Sequence, residues 1–329
     1  MSGPTRASFY GQVASNKRRS ILLVVVVAGL LGLLGAGIGY VIGGSVEVAI
    51  PILFGVVLLT LLMAVGTYYA GDGLVLAASQ AREVDEASAP QLLNVVRELT
   101  IAANVPMPRV YIIDDTAPNA FATGRDPQHA SVAITSGLLE KLDREELKGV
   151  IGHELSHVRN YDIRFTLLVG VLVGSVALLA DMFLRFSFWG GMSGRSRSRD
   201  SSGGGGAQAI IMVLVLLLAI LAPIAARLVQ LAVSREREYL ADASSVEITR
   251  NPYGLERALL KISGDTEVLE VANRATQHLY IVNPIKKFEA RAQGLFSTHP
   301  PIVDRVNRLR ALTGEVLLDP SDPSLTSLD

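Results

Sequence analysis

The chain has 329 residues and contains no cysteine. Disulfide bonds, thiolate nucleophiles and metal sites built from cysteine are therefore excluded, and a bound metal would have to be held by His, Asp, Glu or water. A large net charge is absent too, since the formal value is -1 at pH 7. Composition thus gives no indication of a nucleic-acid partner, and none is expected.

Charged residues are missing from long stretches, although the chain holds 30 basic and 31 acidic residues. Half of all residues are hydrophobic and the mean hydropathy is +0.38, which indicates that apolar residues are gathered in blocks. Residues 21–44 and 48–70 form two such blocks, each long enough for a transmembrane helix. The second block follows almost at once, which favours a membrane hairpin over a cleaved signal peptide. The basic residues 17–19 predict that the N-terminal segment 1–20 lies in the cytoplasm.

A second membrane hairpin is predicted from residues 165–184 and 209–229. The loop between them, residues 187–207, is rich in Gly, Ser and Arg and is predicted to be disordered. If both blocks span the membrane, the arginines of this loop lie outside, against the positive-inside tendency; a re-entrant hairpin would place them inside. Four spans are favoured because the last block is long and almost free of charges; the third block contains Asp181 and is the weaker candidate.

The segments 71–164 and 230–329 have the composition of a soluble domain and are predicted to form one domain together. Their patterns indicate an α+β fold, mainly helical with a small β-sheet. Strands are predicted at residues 109–114, 118–124 and 130–135. Helices are predicted at residues 90–100, 144–160, 234–248, 253–263 and 302–312, and the helix at 144 starts with a capping-box pattern, Asp143 followed by Glu146.

The helix at 144–160 contains the pattern H-E-x-x-H, formed by His153, Glu154 and His157. Histidines four residues apart lie on the same helical face, so that both imidazoles can bind one ion, and Glu154 can reach a water bound there. This is the arrangement of zinc proteases. The pattern therefore predicts a metal site in this helix.

A catalytic zinc needs three protein ligands, so a third must lie elsewhere in the chain. The position that holds a histidine in metzincins is Ile163 here. A better candidate is Glu238, which lies on the same helical face as Asp242. One carboxylate could bind the ion while the other accepts the free ring N–H of a histidine ligand. Glu236 is the alternative ligand, and a solvated face with ion pairs is the alternative interpretation of this helix.

Four segments closely resemble, in order and spacing, the HtpX family of membrane zinc endopeptidases: residues 119–124, 149–162, 234–242 and 296–301. The resemblance covers nearly the whole chain. It implies a gluzincin-type site, a relation to CAAX prenyl proteases, and a multi-pass protein of the bacterial inner membrane whose protease domain faces the cytoplasm. It also implies that misfolded or damaged membrane proteins are hydrolysed in stress-related quality control.

By this resemblance one Zn²⁺ per chain would be bound by His153, His157 and Glu238. Glu154 would be the general base, and Asp242 would orient a histidine ligand. These assignments agree with the spacing argument given above.

The resemblance implies further residues that contact the substrate. Asn119 would hold the backbone of an extended substrate paired with an edge strand. His299, together with Arg305, would stabilise the oxyanion. Capping of the helix start before Pro300 is an equally good interpretation of His299.

The main interpretation is a protease that resides in the lipid bilayer and cleaves membrane proteins or peptides. Several other functions are alternatives. A prenyl-protein protease would share the chemistry but have more spans than four. A zinc-stabilised scaffold without turnover would need a fourth protein ligand. A transporter would need ionisable residues within its spans, where Asp181 is the only acid. The sequence predicts no oligomeric state.

Overall fold

A computed structural model describes residues 9–170, 172, 176, 181, 235, 237–265, 267, 269, 280–281 and 300–319. The chain folds into two compact units. The catalytic unit comprises residues 1–19, 68–167 and 231–329, and the apolar unit comprises residues 20–67 and 168–230. The predicted block 209–229, the loop 187–207 and the candidate residues Glu236 and His299 lie outside the described residues.

Two long helices begin the chain, α1 (Phe9–Gly43) and α2 (Val46–Ala78). Segments Ser20–Tyr40 and Val46–Ala78 are long and apolar enough to cross a membrane. Both helices extend beyond the predicted spans, and α1 begins at Phe9 because residues 9–20 include no proline to prevent helix formation. A glycine with positive φ, Gly44, ends α1.

Glycines bring α1 and α2 close together in the apolar unit. A Cβ atom at Gly32 would lie 2.6 Å from a methyl of Val57, and one at Gly39 would lie 2.6 Å from a methyl of Ile52. Only a residue without a side chain fits at these positions, as is common where membrane helices pack. The described part of the third predicted block, residues 165–170, is helical, and Leu168 packs in this unit with residues of α1 and α2.

The catalytic unit contains a mixed sheet of four strands in the order β1-β2-β4-β3. The three predicted strands are confirmed as β2 (Arg109–Ile113), β3 (Ala120–Gly124) and β4 (Ala130–Thr135). β2 and β4 are parallel, whereas β3 pairs antiparallel to β4 and lies at one edge of the sheet. β1 (Arg82–Glu83), at the other edge, was not predicted because two residues show no alternating pattern.

The helices of the catalytic unit agree closely with the sequence. The described helices are α3 (Pro90–Ala103), α4 (Ser136–Lys141), α5 (Arg144–Arg159), α6 (described over residues 237–249), α7 (Pro252–Gly264) and α8 (Ile302–Thr313). The predicted capping box of α5 is present, since Asp143 accepts from the Glu146 amide and Glu146 accepts from the Asp143 amide. α5 packs between α3 and α7 and contacts β3, which places its middle in the core.

Candidate metal centre

α5 carries its metal-binding pattern where it is most buried. His153 and Glu154 are almost inaccessible, and His157 is only partly accessible. Burying ionisable side chains is costly unless they are paired or bind a metal. The environment of α5 therefore indicates a working site rather than a solvated helix face.

Small residues hold α5 against α6 and α7. A Cβ atom at Gly149 would lie 2.4 Å from the Leu255 backbone nitrogen, and one at Gly152 would lie 2.9 Å from Ser245 Oγ. Ser245 Oγ also donates to the Gly149 carbonyl oxygen at 2.7 Å. Glu238 lies about two turns before Ser245 on α6. The close packing at Ser245 thus directs Glu238 toward the two histidines.

The structure brings His153, His157 and Glu238 together, with one potential ligand atom from each within 4.8 Å of the others. The two Nε2 atoms are 3.2 Å apart. Glu238 Oε2 lies 3.6 Å from His153 Nε2, and Glu238 Oε1 lies 3.5 Å from His157 Nε2. Around a tetrahedral zinc with bonds of roughly 2.0–2.2 Å, ligand atoms are about 3.3–3.6 Å apart. The three side chains therefore fit a zinc ion in chemistry, and each histidine Nε2 lies at a suitable distance from one Glu238 oxygen.

Asp242 orients His153 and is itself held by a buried arginine. Its Oδ1 lies 2.9 Å from His153 Nδ1. Arg305, which is completely buried, donates to both carboxylate oxygens at 2.7 and 2.9 Å. Burial opposes ionisation, but Arg305 and His153 hold the pKa of Asp242 below its usual value. An ionised Asp242 keeps the proton on His153 Nδ1, so that Nε2 can face a metal.

Asp162 occupies the same position relative to His157, and sequence reasoning gave it no role. Its Oδ2 lies 3.2 Å from His157 Nδ1, and its Oδ1 lies 3.4 Å from Arg237 Nε. Tyr161 adopts a positive φ of 61°, which turns the chain after α5 so that Asp162 comes back to the histidine. The Arg237 guanidinium also stacks 3.7 Å from the ring centre of Phe165. The sequence does show a carboxylate just after the helix that carries the H-E-x-x-H pattern, and this position could have indicated a partner for His157.

The two histidines attract protons as well as metal. Burial opposes a positive charge on His157, but hydrogen bonds with Asp162 and Glu238 raise its pKa to about 10. The pKa of His153 is also raised, because its hydrogen bonds with Asp242 and Glu238 outweigh its burial. Metal must therefore displace protons from these side chains when it binds.

Glu154 lies beside the ligand set but does not belong to it. Burial raises its pKa, although the neighbouring His153 and His157 oppose the shift. Its carboxylate accepts a hydrogen bond from the backbone amide of Ala122 in β3. A buried carboxylate with a raised pKa is suited to accept a proton and give it back.

The remaining candidate residues have different surroundings. Asn119 is buried directly before β3, where its Oδ1 accepts from the Ala120 amide at 3.1 Å. Arg305, besides bonding Asp242, donates to the Ile281 carbonyl oxygen at 3.0 Å and lies 3.5 Å from Glu238. Contact of Asn119 or Arg305 with a substrate stays a prediction.

Comparison with known proteins adds a second line of observation. The sequence matches the model of Peptidase family M48 over residues 86–313. The Protease HtpX homolog of Streptococcus uberis (strain ATCC BAA-854 / 0140J) is 44% identical over 304 residues, which cover 92% of this chain and 99% of the relative. The Protease HtpX homolog of Streptococcus thermophilus (strain CNRZ 1066) is 47% identical over 307 residues, covering 92% and 99%.

One solved structure is also similar, the crystal structure of S. mikatae Ste24p. Its TM-score is 0.45 at 19% sequence identity, and the match covers 77% of this chain and 57% of that chain.

Proposed function

Because this chain belongs to peptidase family M48 and is a membrane-bound metalloprotease, we propose that it is a zinc-dependent endopeptidase acting at His153, His157, Glu238 and Glu154. The resemblance to the HtpX family is confirmed by relatives about 45% identical over most of the chain. The observation that carries the proposal is the convergence of His153, His157 and Glu238: the two Nε2 atoms are 3.2 Å apart, and each lies within 3.6 Å of one Glu238 oxygen.

In the proposed mechanism, different side chains of the catalytic unit bind the metal, transfer the proton and orient the metal ligands. A zinc ion held by the three ligands would polarise a peptide carbonyl and acidify a water. The Glu154 carboxylate takes the proton from that water and passes it to the leaving amine. The Ala122 amide fixes the Glu154 carboxylate for this exchange. Asp242 and Asp162 hold the imidazoles through their Nδ1 atoms, in the orientation in which both Nε2 atoms would face a zinc ion.

The edge strand β3 is proposed to bind the substrate backbone. An extended peptide can be added to a sheet edge through main-chain hydrogen bonds, which place little demand on its side chains. Glu154 is tied directly to this strand through Ala122, so a peptide on β3 would lie close to the general base. Broad sequence specificity follows. Asn119, at the start of β3, and His299 are proposed to contact the substrate backbone and the oxyanion, respectively.

We propose misfolded or damaged proteins of the bacterial inner membrane as substrates, as the kinship with HtpX proteases suggests. Two apolar helices, α1 and α2, support a membrane location. Basic residues before the first span favour a cytoplasmic catalytic unit, with four spans in all.

The proposal predicts that the purified chain in detergent binds one zinc ion and cleaves an unfolded model protein. Removing zinc with a chelator should abolish cleavage, and adding zinc back should restore it, because the ligands are fixed by the fold. Metal content and fragment formation are measured on the same sample. Zinc retained at one per chain without any cleavage would instead favour the scaffold, and ion flux in liposomes would favour a transporter.

The pairing of Asp162 with His157 predicts an effect on metal affinity. Changing Asp162 to asparagine should weaken zinc binding by about 10- to 100-fold, since the carboxylate no longer fixes the imidazole. Competition with a fluorescent chelator measures the change. Asp304→Asn, at an exposed position of α8, is the matched control and should bind zinc like the wild type. Equal affinities for the two variants would remove Asp162 from the site.

A further inference from the structure

The outer edge of β3 is partly occupied by the chain itself. The Thr135 amide donates to the Asn119 carbonyl oxygen at 3.0 Å. This hydrogen bond shows which residues of β3 direct their backbone groups toward β4 and which direct them away from it. Residues 119, 121 and 123 direct their backbone groups toward β4, so Ala120, Ala122 and Gly124 direct theirs outward. Outside the sheet, the Ile281 amide donates to the Ala120 carbonyl oxygen at 3.0 Å.

Three of the outward backbone groups of β3 already have a partner. The Ala120 amide donates to Asn119 Oδ1, and its carbonyl accepts from Ile281. The Ala122 amide is bonded to Glu154. Within the described part of the chain, the outward groups left without a hydrogen bond are the Ala122 carbonyl oxygen and the backbone of Gly124. An extended substrate therefore meets open positions on only one half of β3.

Tyr280 and Ile281 are anchored too firmly to be pushed aside by a substrate. The Tyr280 ring is fully buried and meets Phe121 edge-to-face with centroids 5.1 Å apart, and its hydroxyl lies 3.3 Å from Ser79 Oγ. Ile281 is buried in the main core, and its carbonyl oxygen accepts from Arg305.

A substrate that displaced this pair would gain one hydrogen bond to Ala120. It would have to expose two large apolar side chains and break the contacts with Ser79 and Arg305. Exposure of two such side chains costs more than a single hydrogen bond returns. Displacement is therefore unfavourable.

We propose that Tyr280 and Ile281 form a fixed stop on the substrate edge, which ends strand pairing of the bound peptide between Ala122 and Ala120. This inference rests on the proposed function of β3 as the substrate strand. The site is therefore asymmetric. On one side of the scissile bond, the bound peptide stops pairing with β3 when it reaches Tyr280 and Ile281. Substrate residues beyond that point contribute no main-chain hydrogen bonds to affinity.

The stop is tested by measuring how affinity depends on peptide length. One peptide with a single cleavage site is shortened residue by residue from each end. Each Kd is measured on the zinc-loaded Glu154→Gln chain, in which turnover is slow compared with binding. In the Ile281→Pro variant the amide that occupies Ala120 is gone, while the carbonyl that accepts from Arg305 is kept. Ile281→Val keeps the amide and is the matched control.

We expect affinity for the chain with Ile281 to stop rising at a fixed length on one side. In Ile281→Pro it should rise for one or two further residues, by roughly 2- to 10-fold for each added hydrogen bond. Tyr280→Ala, which loosens the same pair, should behave similarly if the proline variant does not fold. Ile281→Val should match the parent chain.

The same length dependence in all variants that fold and bind zinc would overturn the stop. A merely structural role for Ile281 would lower affinity for all peptides alike and leave the limiting length unchanged. A wild-type chain that holds zinc yet cleaves no peptide would contradict the proposed function instead, and the stop with it.

Discussion

Replacing Glu154 with glutamine is expected to lower kcat for peptide hydrolysis by about 10²- to 10⁴-fold while zinc stays bound. Glutamine has the shape of glutamate, and its amide oxygen can still accept from the Ala122 amide, but it cannot accept a proton from water. Zinc should be retained because Glu154 is not part of the triangle formed by His153, His157 and Glu238. Cleavage of a model membrane substrate and zinc content are measured side by side.

Glu247→Gln provides the control for this change. Glu247 is exposed on α6, where it pairs at 3.7 Å with Arg159. Its loss should leave both rate and zinc content unchanged. A Glu154→Gln chain that cleaves at the wild-type rate would remove Glu154 as the general base, whatever its zinc content.

Replacing Arg305 with methionine is expected to destabilise the catalytic unit by about 3–5 kcal/mol, the effect of breaking a buried ion pair by removing one partner. The guanidinium is fully buried and bonds both oxygens of Asp242 while lying 3.5 Å from Glu238. Without it, two buried carboxylates lose their shared counter-charge. Asp242 then holds His153 less well, and zinc content should fall with the unfolding temperature.

Arg308→Met, one turn along the same helix, separates this effect from a general loss of charge. Arg308 is exposed and stacks on the ring of Tyr239 at 3.6 Å, so its replacement should change the unfolding temperature little. An Arg305→Met chain with normal unfolding temperature and zinc content but reduced kcat would favour the role predicted from sequence, contact with the oxyanion.

The local parts of the site could be predicted from sequence. The capping box at Asp143, the spacing of His153 and His157, and the alternating pattern of β4 are all set by neighbours along the chain. Glu238 could be proposed although it is distant in sequence, because zinc chemistry demands a third ligand and the chain has no cysteine to supply it.

The parts that could not be predicted depend on contacts between distant segments. The position of Asp162 just after the motif helix is visible in the sequence, but its contact with His157 depends on the positive φ of Tyr161, which no spacing rule indicates. Arg305 was placed near the substrate because of its position after His299, whereas its burial against Asp242 follows from how α8 packs. The hydrogen bond between Ile281 and Ala120 joins two residues that belong to no common sequence motif or spacing, so it is seen only in the folded chain.

The two arginines Arg305 and Arg237 reduce the net negative charge of the site, and the charge that is left determines which ions can neutralise it. Among the described side chains of the site, Glu154, Glu238, Asp242 and Asp162 carry four negative charges when all are ionised, and Arg305 and Arg237 supply two positive ones. The deficit of two is made up either by protons on both histidines or by one divalent cation. Loading the site is then an exchange of two protons for one ion, so a monovalent cation leaves the core charged while a divalent one makes it neutral.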